Sequence, residues 1–214
     1  MKETVIYIHG KGGTAEEAGH YIPLFPSCKV IGFDYSSQTP WGAAAEFPEF
    51  FAGQRRLCDR LTLIANSIGA FFSMSAPIGE MTDRAYFISP VVDMEKLIGN
   101  MLQWSGVTED ELEKKREIQT DLGETLSWDY LCYVRRHPIV WSVPTAVLYG
   151  GRDGLTSFET VSAFAGRCRA KLTVMPDGEH WFHTEEQLRF LDDWIMKTDP
   201  LYTKTGKYAI DSDN

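Results

Sequence analysis

Ser67 lies where a run of apolar residues ends and a second, helix-like apolar segment begins. The run before it, residues 61–66, is typical of a buried parallel strand. Small residues two positions before and after the serine, Ala65 and Gly69, allow strand and helix to approach closely at a sharp turn. A serine held at such a turn can present its hydroxyl as a nucleophile, although an ordinary strand-to-helix turn also fits the pattern.

A serine nucleophile needs a base that takes its proton and a third group that orients this base. His180 lies in the loop after the last predicted strand, at the same edge of the sheet as Ser67. We therefore interpret His180 as the base. His183 is the rival, but it directly precedes a predicted helix start at Thr184, where a solvated or capping role is simpler.

The orienting acid has two candidates. Asp153 is flanked by glycines at the carboxyl end of the fifth predicted strand, and we interpret it as the acid. A turn-forming or helix-capping role would also explain it. Asp93, which follows the fourth predicted strand, is the alternative acid. Asp34 follows the second strand, on the wrong side of the serine strand, and is interpreted as structural.

A glycine-rich loop, residues 9–13, follows the first predicted strand. The backbone N–H of Lys11 or Gly12 could pair with that of Ile68 around a developing oxyanion. A phosphate-binding loop is the competing interpretation, but neither G-x-x-x-x-G-K-[ST] nor G-x-G-x-x-G is present. We expect His9 to hold the loop in place and the side chain of Lys11 to be solvated.

Six predicted strands alternate with helical segments, which indicates an α/β fold with a parallel sheet covered on both faces. The predicted strands are residues 4–8, 28–35, 61–66, 83–90, 145–150 and 171–176. A helix over residues 43–57 is predicted to be interrupted near Pro48.

Residues 91–143 break this alternation, because they contain three helical patterns and no clear strand. One of them begins with a predicted capping box at Thr108. Ligands of open α/β sheets bind at the carboxyl edge, so we interpret the insertion as a cap over that edge. Its aromatic residues are the predicted substrate-binding set, although they could equally form the core of ordinary packing helices: Trp104, Trp128, Tyr130 and Trp141.

The 214-residue chain is long enough for one domain with a sizeable core. We expect a single domain over residues 1–197, including the cap insertion at about 91–143. A polar, acidic tail over residues 198–214 is expected to be frayed or exchanged with another copy.

Composition excludes several classes of partner. A formal charge of −9 argues against nucleic acid, because no basic stripe exists to neutralise phosphates. The four cysteines are scattered without metal-binding spacing, and we interpret them as reduced core thiols of a cytoplasmic protein that needs no metal. No apolar stretch approaches the roughly 20 residues of a membrane span, and no signal peptide is recognisable.

The glycine-rich loop, the serine, the aspartate and the histidine follow one another at strand ends. In this order and placement the chain resembles the α/β-hydrolase family through about Lys197, as a compact member that starts at the family's third strand. The resemblance implies Ser67 as nucleophile, Asp153 as acid and His180 as base, with the backbone donors above as the oxyanion hole. Ala65 in place of the first glycine of the turn is the departure from the family pattern.

We therefore expect a serine hydrolase that cleaves a small carboxylic ester through an acyl-enzyme, without a cofactor. A serine nucleophile disfavours the dehalogenase and epoxide hydrolase branches, in which an aspartate attacks. Two alternatives remain: thioester or amide cleavage by the same residues, and a non-catalytic protein that binds a small ligand under the cap.

Overall fold

The computed structural model describes residues 2–121 and 123–199. Its eight strands, β1 to β8, are Glu3–Ile8, Lys29–Gly32, Arg60–Asn66, Arg84–Ile88, Glu117–Gln119, Thr125–Ser127, Thr145–Gly150 and Lys171–Met175. Its seven α-helices, α1 to α7, are Pro40–Arg55, Ile68–Ser75, Met94–Trp104, Glu109–Lys115, Trp128–Arg136, Phe158–Cys168 and Glu185–Thr198. Two 3₁₀ helices span Ala15–Leu24 and Gly79–Met81.

Six of the strands form one sheet in the order β2-β1-β3-β4-β7-β8, and all its pairings are parallel. The predicted α/β class and six-stranded parallel sheet are therefore confirmed. The inner strands β1, β4 and β7 are buried along their whole length, which explains their continuous apolar sequences. All strands of a parallel sheet point the same way, so the turns after β3, β7 and β8 lie at one edge.

The two faces of the sheet carry different helices. Alternate residues of β1 point to opposite faces, with Ile6 in one hydrophobic cluster and Val5 in the other. The first cluster also contains buried residues of α1, α2 and the insertion, such as Phe47. The second contains residues of the first 3₁₀ helix and of α7, such as Tyr21 and Trp194. Helices therefore cover the sheet on both sides, as predicted.

The insertion between β4 and β7 consists of α3, α4, a small antiparallel hairpin and α5. The prediction that the insertion contains no clear strand was wrong, because β5 and β6 pair there as an antiparallel hairpin. These strands have three residues each, too few to show a period of two in the sequence. The predicted capping box at Thr108 is confirmed.

Pro48 does not interrupt α1, which runs unbroken from Pro40 to Arg55. A proline inside a helix costs about 3 kcal/mol because it removes a hydrogen bond and crowds the preceding turn. Here Ala43, Phe47 and Phe51 are fully buried on the same helix. Burial of these side chains offsets the local penalty, so tertiary packing overrides the sequence signal.

The end of α7 is fastened to the sheet. Asp199 follows the helix and is fully buried, and Tyr86 on β4 donates a hydrogen bond to it at 3.0 Å. Arg84 on β4 lies 3.2 Å from Asp199 and also pairs with Glu3 on β1. Thr198 and Asp199 therefore belong to the folded domain, contrary to the predicted start of a tail at residue 198. The rest of that predicted tail, residues 200–214, lies outside the described residues.

The four cysteines form no disulfide in the described structure, and each is partly exposed instead of buried in the core. Among the described residues, no helix combines the length and apolar character that crossing a membrane requires.

Candidate active site

Ser67 occupies a strained turn between β3 and α2. Its backbone angles, φ 51° and ψ −120°, lie in a region that residues other than glycine rarely adopt. Its N–H donates to the carbonyl of Ile88 at 3.0 Å, and its carbonyl accepts from the N–H of Val91 at 3.1 Å. These bonds tie the turn to the end of β4, so neighbouring backbone holds the strain that projects the serine hydroxyl.

The small residues around Ser67 have unequal roles. A Cβ atom at Gly69 would lie 2.4 Å from the carbonyl oxygen of His9, so a side chain there is sterically excluded. Ala65 is fully buried in β3, in register with Ile8 and Phe87. The first position of the turn therefore accommodates a methyl group, while the second requires glycine.

Gly69→Ala is expected to lower the free energy of unfolding by about 1–3 kcal/mol, because overpacking against fixed backbone forces the elements apart. The loss should be measurable by urea unfolding. Gly99→Ala is the matched control, since a Cβ atom there, within α3, meets no atom within 4 Å. Alanine at Gly99 should be neutral or stabilise the protein by up to about 1 kcal/mol. Equal effects of the two substitutions would contradict this account of the turn.

Three side chains from three strand ends form a hydrogen-bonded row. The Oγ atom of Ser67 lies 2.7 Å from Nε2 of His180, and Nδ1 of His180 lies 2.8 Å from Oδ2 of Asp153. A carboxylate can only accept, so the neutral imidazole carries its proton on Nδ1. Nε2 is then left with a lone pair directed at the serine hydroxyl. The structure thus brings the three residues together in the geometry that a proton transfer from serine requires.

Asp153 is held as a buried carboxylate. Its side chain is 0% exposed, while that of His180 is 23% exposed. Its Oδ1 accepts from the N–H of Leu155 at 2.7 Å and of Thr156 at 3.0 Å, and the Thr156 hydroxyl donates to Oδ2 at 2.9 Å. Burial acts to raise the pKa of Asp153, but His180 and these backbone donors outweigh it and lower the pKa overall. The ionised carboxylate of Asp153 therefore stabilises the folded state at pH values above the ordinary pKa of aspartate. This contribution to the free energy of unfolding is lost as the pH falls through the lowered pKa of Asp153.

The loops that carry Asp153 and His180 are packed against each other through glycines. A Cβ atom at Gly150 would lie 2.4 Å from the carbonyl oxygen of Glu179, and one at Gly151 would lie 2.4 Å from that of Pro176. The N–H of Arg152 donates to the carbonyl of Gly178 at 2.8 Å. Because glycine has no side chain, the two loops come into close backbone contact, and this contact fixes the distance between the acid and the base.

The glycine-rich loop passes directly beside the serine. A Cβ atom at Gly10 would lie 3.2 Å from that of Ser67. Gly12 has φ +75°, which glycine adopts without strain, in a turn closed by the N–H of Gly13 to the carbonyl of Gly10 at 3.1 Å. Within the described residues, the N–H groups of Lys11, Gly12 and Ile68 bond to no other backbone carbonyl.

His9 packs against Tyr35 and is held within this loop. Its ring stacks on that of Tyr35 with centroids 4.3 Å apart, its Nδ1 lies 2.8 Å from the Gly10 carbonyl, and the Tyr35 hydroxyl donates to the His9 carbonyl at 2.9 Å. These contacts fit the structural role expected for His9.

The rival residues are placed away from the row. Asp93 caps α3 by accepting from the N–H of Lys96 at 2.9 Å. The ring of His183 stacks on Trp181, and its Nδ1 lies 2.8 Å from the Trp181 carbonyl. Asp34 is exposed beyond β2, on the opposite side of β3 from β8. None of the three makes a hydrogen bond to the row among the described residues.

The four aromatic residues predicted for substrate binding fall in different environments. Trp104 ends α3 and is 49% exposed, while Trp128 and Tyr130 are half-buried at the start of α5. Trp141 is only 7% exposed, and its indole N–H donates to the hydroxyl of Thr145 at 2.8 Å. This is a core position at the amino end of β7, the edge opposite Ser67. We therefore leave Trp141 out of the proposed substrate-binding residues.

Two features beside the site were missed by sequence reasoning. Trp41, at the start of α1, packs edge to face on Tyr130 and Tyr133 of α5 with centroids 5.7 and 5.1 Å apart. The side chain of Lys11, expected to be solvated, pairs with Glu124 beside β6 while remaining 61% exposed. Both contacts join segments far apart in sequence, and no local pattern signals them.

Asp153→Asn is expected to lower kcat on a serine-hydrolase substrate by about 10³- to 10⁴-fold, because the amide no longer selects the reactive histidine tautomer. Asp93→Asn is the control that tests the alternative acid. Asparagine also caps helices, so this variant should keep its fold and its kcat. A large loss in Asp93→Asn together with an active Asp153→Asn would reverse the two assignments.

No protein-family model matches the sequence, and no curated protein is similar enough to match it. Solved structures do match. Alpha/beta hydrolase domain-containing protein 10 from mouse superposes with a TM-score of 0.71 at 16% identity, covering 91% of this chain and 88% of that one. Est1E from Butyrivibrio proteoclasticus gives 0.69 at 16% identity, with coverage of 91% and 85%.

The thioesterase domain from the curacin biosynthetic pathway gives a TM-score of 0.59 at 14% identity, covering 92% of each chain. At such low identity these likenesses establish the architecture alone. Together with the sheet order and its helices, they show that this chain has the α/β-hydrolase fold.

Proposed function

We propose that the protein is a serine hydrolase that cleaves small carboxylic esters, with Ser67 as nucleophile, His180 as base and Asp153 as acid. The observation that carries the proposal is the continuous row from Ser67 Oγ through the His180 ring to the fully buried Asp153 carboxylate, with links of 2.7 and 2.8 Å. An orienting acid with no solvent exposure, bonded to a base that also contacts a strained serine, is the arrangement that activates a hydroxyl.

In the first step, His180 Nε2 takes the proton of Ser67 as the serine oxygen attacks the ester carbonyl. The carbonyl oxygen becomes an oxyanion, which the N–H of Ile68 and that of Lys11 or Gly12 would stabilise. Removing one such donor typically costs about 2.7–4 kcal/mol of barrier. His180 then gives its proton to the leaving alcohol, and the acyl group remains on Ser67.

In the second step, a water molecule replaces the alcohol and His180 takes a proton from it. The resulting hydroxide attacks the acyl-enzyme carbonyl through a second oxyanion held by the same donors. His180 returns the proton to Ser67 Oγ, and the carboxylic acid leaves. Throughout both steps Asp153 stays ionised and stabilises the imidazolium that forms beside it, which its lowered pKa favours.

The substrate class rests on the insertion, which we propose acts as a cap. The Lys11–Glu124 pair brings its hairpin next to the glycine-rich loop. Trp41 and Tyr130, in contact across α1 and α5, supply aromatic surface, and Tyr130 is half-buried. Aromatic side chains suit an apolar acyl or alcohol group.

A chain-length series of p-nitrophenyl esters, with S-phenyl thioacetate and p-nitroacetanilide beside it, tests the proposal. We expect turnover of the esters with a burst of p-nitrophenol equal to the enzyme concentration, which reports the acyl-enzyme. Faster turnover of the thioester would reassign the protein as a thioesterase with the same residues. Binding of these compounds without any turnover would support a non-catalytic ligand-binding protein and refute the proposal.

A further inference from the structure

A cavity of about 350 Å³ lies on the face of the sheet that carries the first 3₁₀ helix and α7. Its walls include Tyr7 of β1, Glu17 and Tyr21 of the 3₁₀ helix, Asn66 of β3 and Trp181 of the loop after β8. Neither Ser67, His180 nor any residue of the insertion lines it. The cavity is therefore separate from the site described above, although Asn66 and Trp181 are the chain neighbours of Ser67 and His180.

Acidic and neutral groups dominate this cavity. Among the described residues that line it, Glu17 carries a negative charge and none is a lysine or arginine. His20, which also lines it, is paired with Asp192 at 2.8 Å. Glu17 lies in the wall, Asp192 lies behind His20, and no lysine or arginine of the described chain lines the cavity. The cavity therefore disfavours an anion and favours a positively charged ligand.

The Glu17 carboxylate is held in a fixed position. The Tyr7 hydroxyl donates to its Oε2 at 2.5 Å, and the N–H of Thr14 donates to its Oε1 at 3.2 Å. Burial raises the pKa of the Tyr7 hydroxyl strongly, so Tyr7 remains a neutral donor to the carboxylate. A charged group held in place before binding loses little side-chain entropy when a ligand arrives.

Aromatic rings complete the walls. The rings of Tyr7 and Tyr21 lie against each other with centroids 5.2 Å apart, and Trp181 is 67% exposed at the rim. Aromatic faces attract cations, and their area suits an apolar body. The side-chain amide oxygen of Asn66 is buried behind this inner wall and has no hydrogen-bond partner among the described residues.

We propose that this cavity is a binding site for a small organic ammonium ion with an aromatic or aliphatic body. The ammonium group pairs with Glu17, and the apolar body lies against Tyr21 and Trp181. Among the described residues, no three His, Cys, Asp or Glu side chains are arranged to hold a metal ion.

Benzylammonium, benzyl alcohol and benzoate share one shape and differ in charge, so they serve as probes. Binding is followed by the indole ¹H–¹⁵N signal of Trp181, one of six tryptophans, which Trp181→Phe assigns. We expect benzylammonium to shift this signal saturably with a Kd of roughly millimolar, and the other two probes to bind more weakly. Ser67→Ala should bind benzylammonium equally well, which separates this test from the proposed hydrolysis.

Glu17→Gln and Glu16→Gln form a matched pair for the charge. Glutamine can keep the reverse hydrogen bond of the capping box that Glu17 makes with Thr14, so the fold should survive. Glu16 is an exposed neighbour that does not line the cavity. We expect Glu17→Gln to weaken benzylammonium binding about threefold or more, and Glu16→Gln to leave it unchanged. No saturable shift, equal binding of benzyl alcohol, or equal Kd values for the two variants would overturn the proposal.

Discussion

Ser67→Ala is expected to lower kcat/KM on short-chain esters by about 10⁴- to 10⁶-fold and to abolish labelling by a fluorophosphonate probe. The hydroxyl is the only group of the row that forms a bond to substrate in the proposed mechanism. Without it, the oxyanion donors and binding surface retain a small residual acceleration over water. Steady-state kinetics and gel-based labelling of the two proteins measure both effects.

Ser75→Ala is the matched control for this loss. Ser75 lies at the end of the same helix, where its hydroxyl donates to the Phe71 carbonyl at 2.8 Å. Its replacement removes one local hydrogen bond and should leave labelling intact. Far-ultraviolet circular dichroism should be the same for both variants. A Ser67→Ala protein that is still labelled would show that another residue is the nucleophile.

His180→Gln is the second large effect, with an expected fall in kcat of about 10⁴- to 10⁶-fold, because the row acts as a unit. The side-chain amide of glutamine is too weak a base to take the serine proton and return it. Ser67 would then keep its proton at neutral pH, so fluorophosphonate labelling should slow by a similar factor. Both quantities are measured at one pH with the same ester.

His183→Gln decides between the two histidines that are three positions apart. The ring of His183 contacts Trp181, and its Nδ1 lies 3.5 Å from the Glu179 carboxylate. The side chain of His183 is 40% exposed. We expect its kcat to stay within a factor of about two of the unmodified protein, as is usual for surface substitutions. If His183→Gln were inactive and His180→Gln active, the assignment of the base would be wrong.

The sheet and the row could be predicted because each rests on local sequence. Apolar runs mark the buried strands, and parallel strands place the residues that follow them at one edge. For this reason Ser67, Asp153 and His180 could be named before the structure, and the structure brings them within hydrogen-bond distance. Glycine at position 69 was also recognisable, since only close backbone contact explains it.

The insertion was harder to predict because packing, and not local pattern, decides its structure. Trp141 has the same residue type as Trp104, yet it is 7% exposed where Trp104 is 49% exposed. The contact of Trp41 with Tyr130 joins residues far apart in sequence. Pro48 shows the same limit, because the burial of Phe47 and Phe51 that offsets its local cost is a tertiary property.

The buried pairing of Arg84 with Glu3 and Asp199 has a consequence for the order in which the chain can fold. During synthesis Glu3 and Arg84 emerge early, but Asp199 emerges only after every strand and helix described here. Until then the guanidinium pairs with Glu3 alone, and the ion pair of Arg84 with Asp199 and the hydrogen bond of Tyr86 to Asp199 have not formed. The buried polar cluster on β4 is therefore completed only once residue 199 has been synthesised, after all six strands of the sheet.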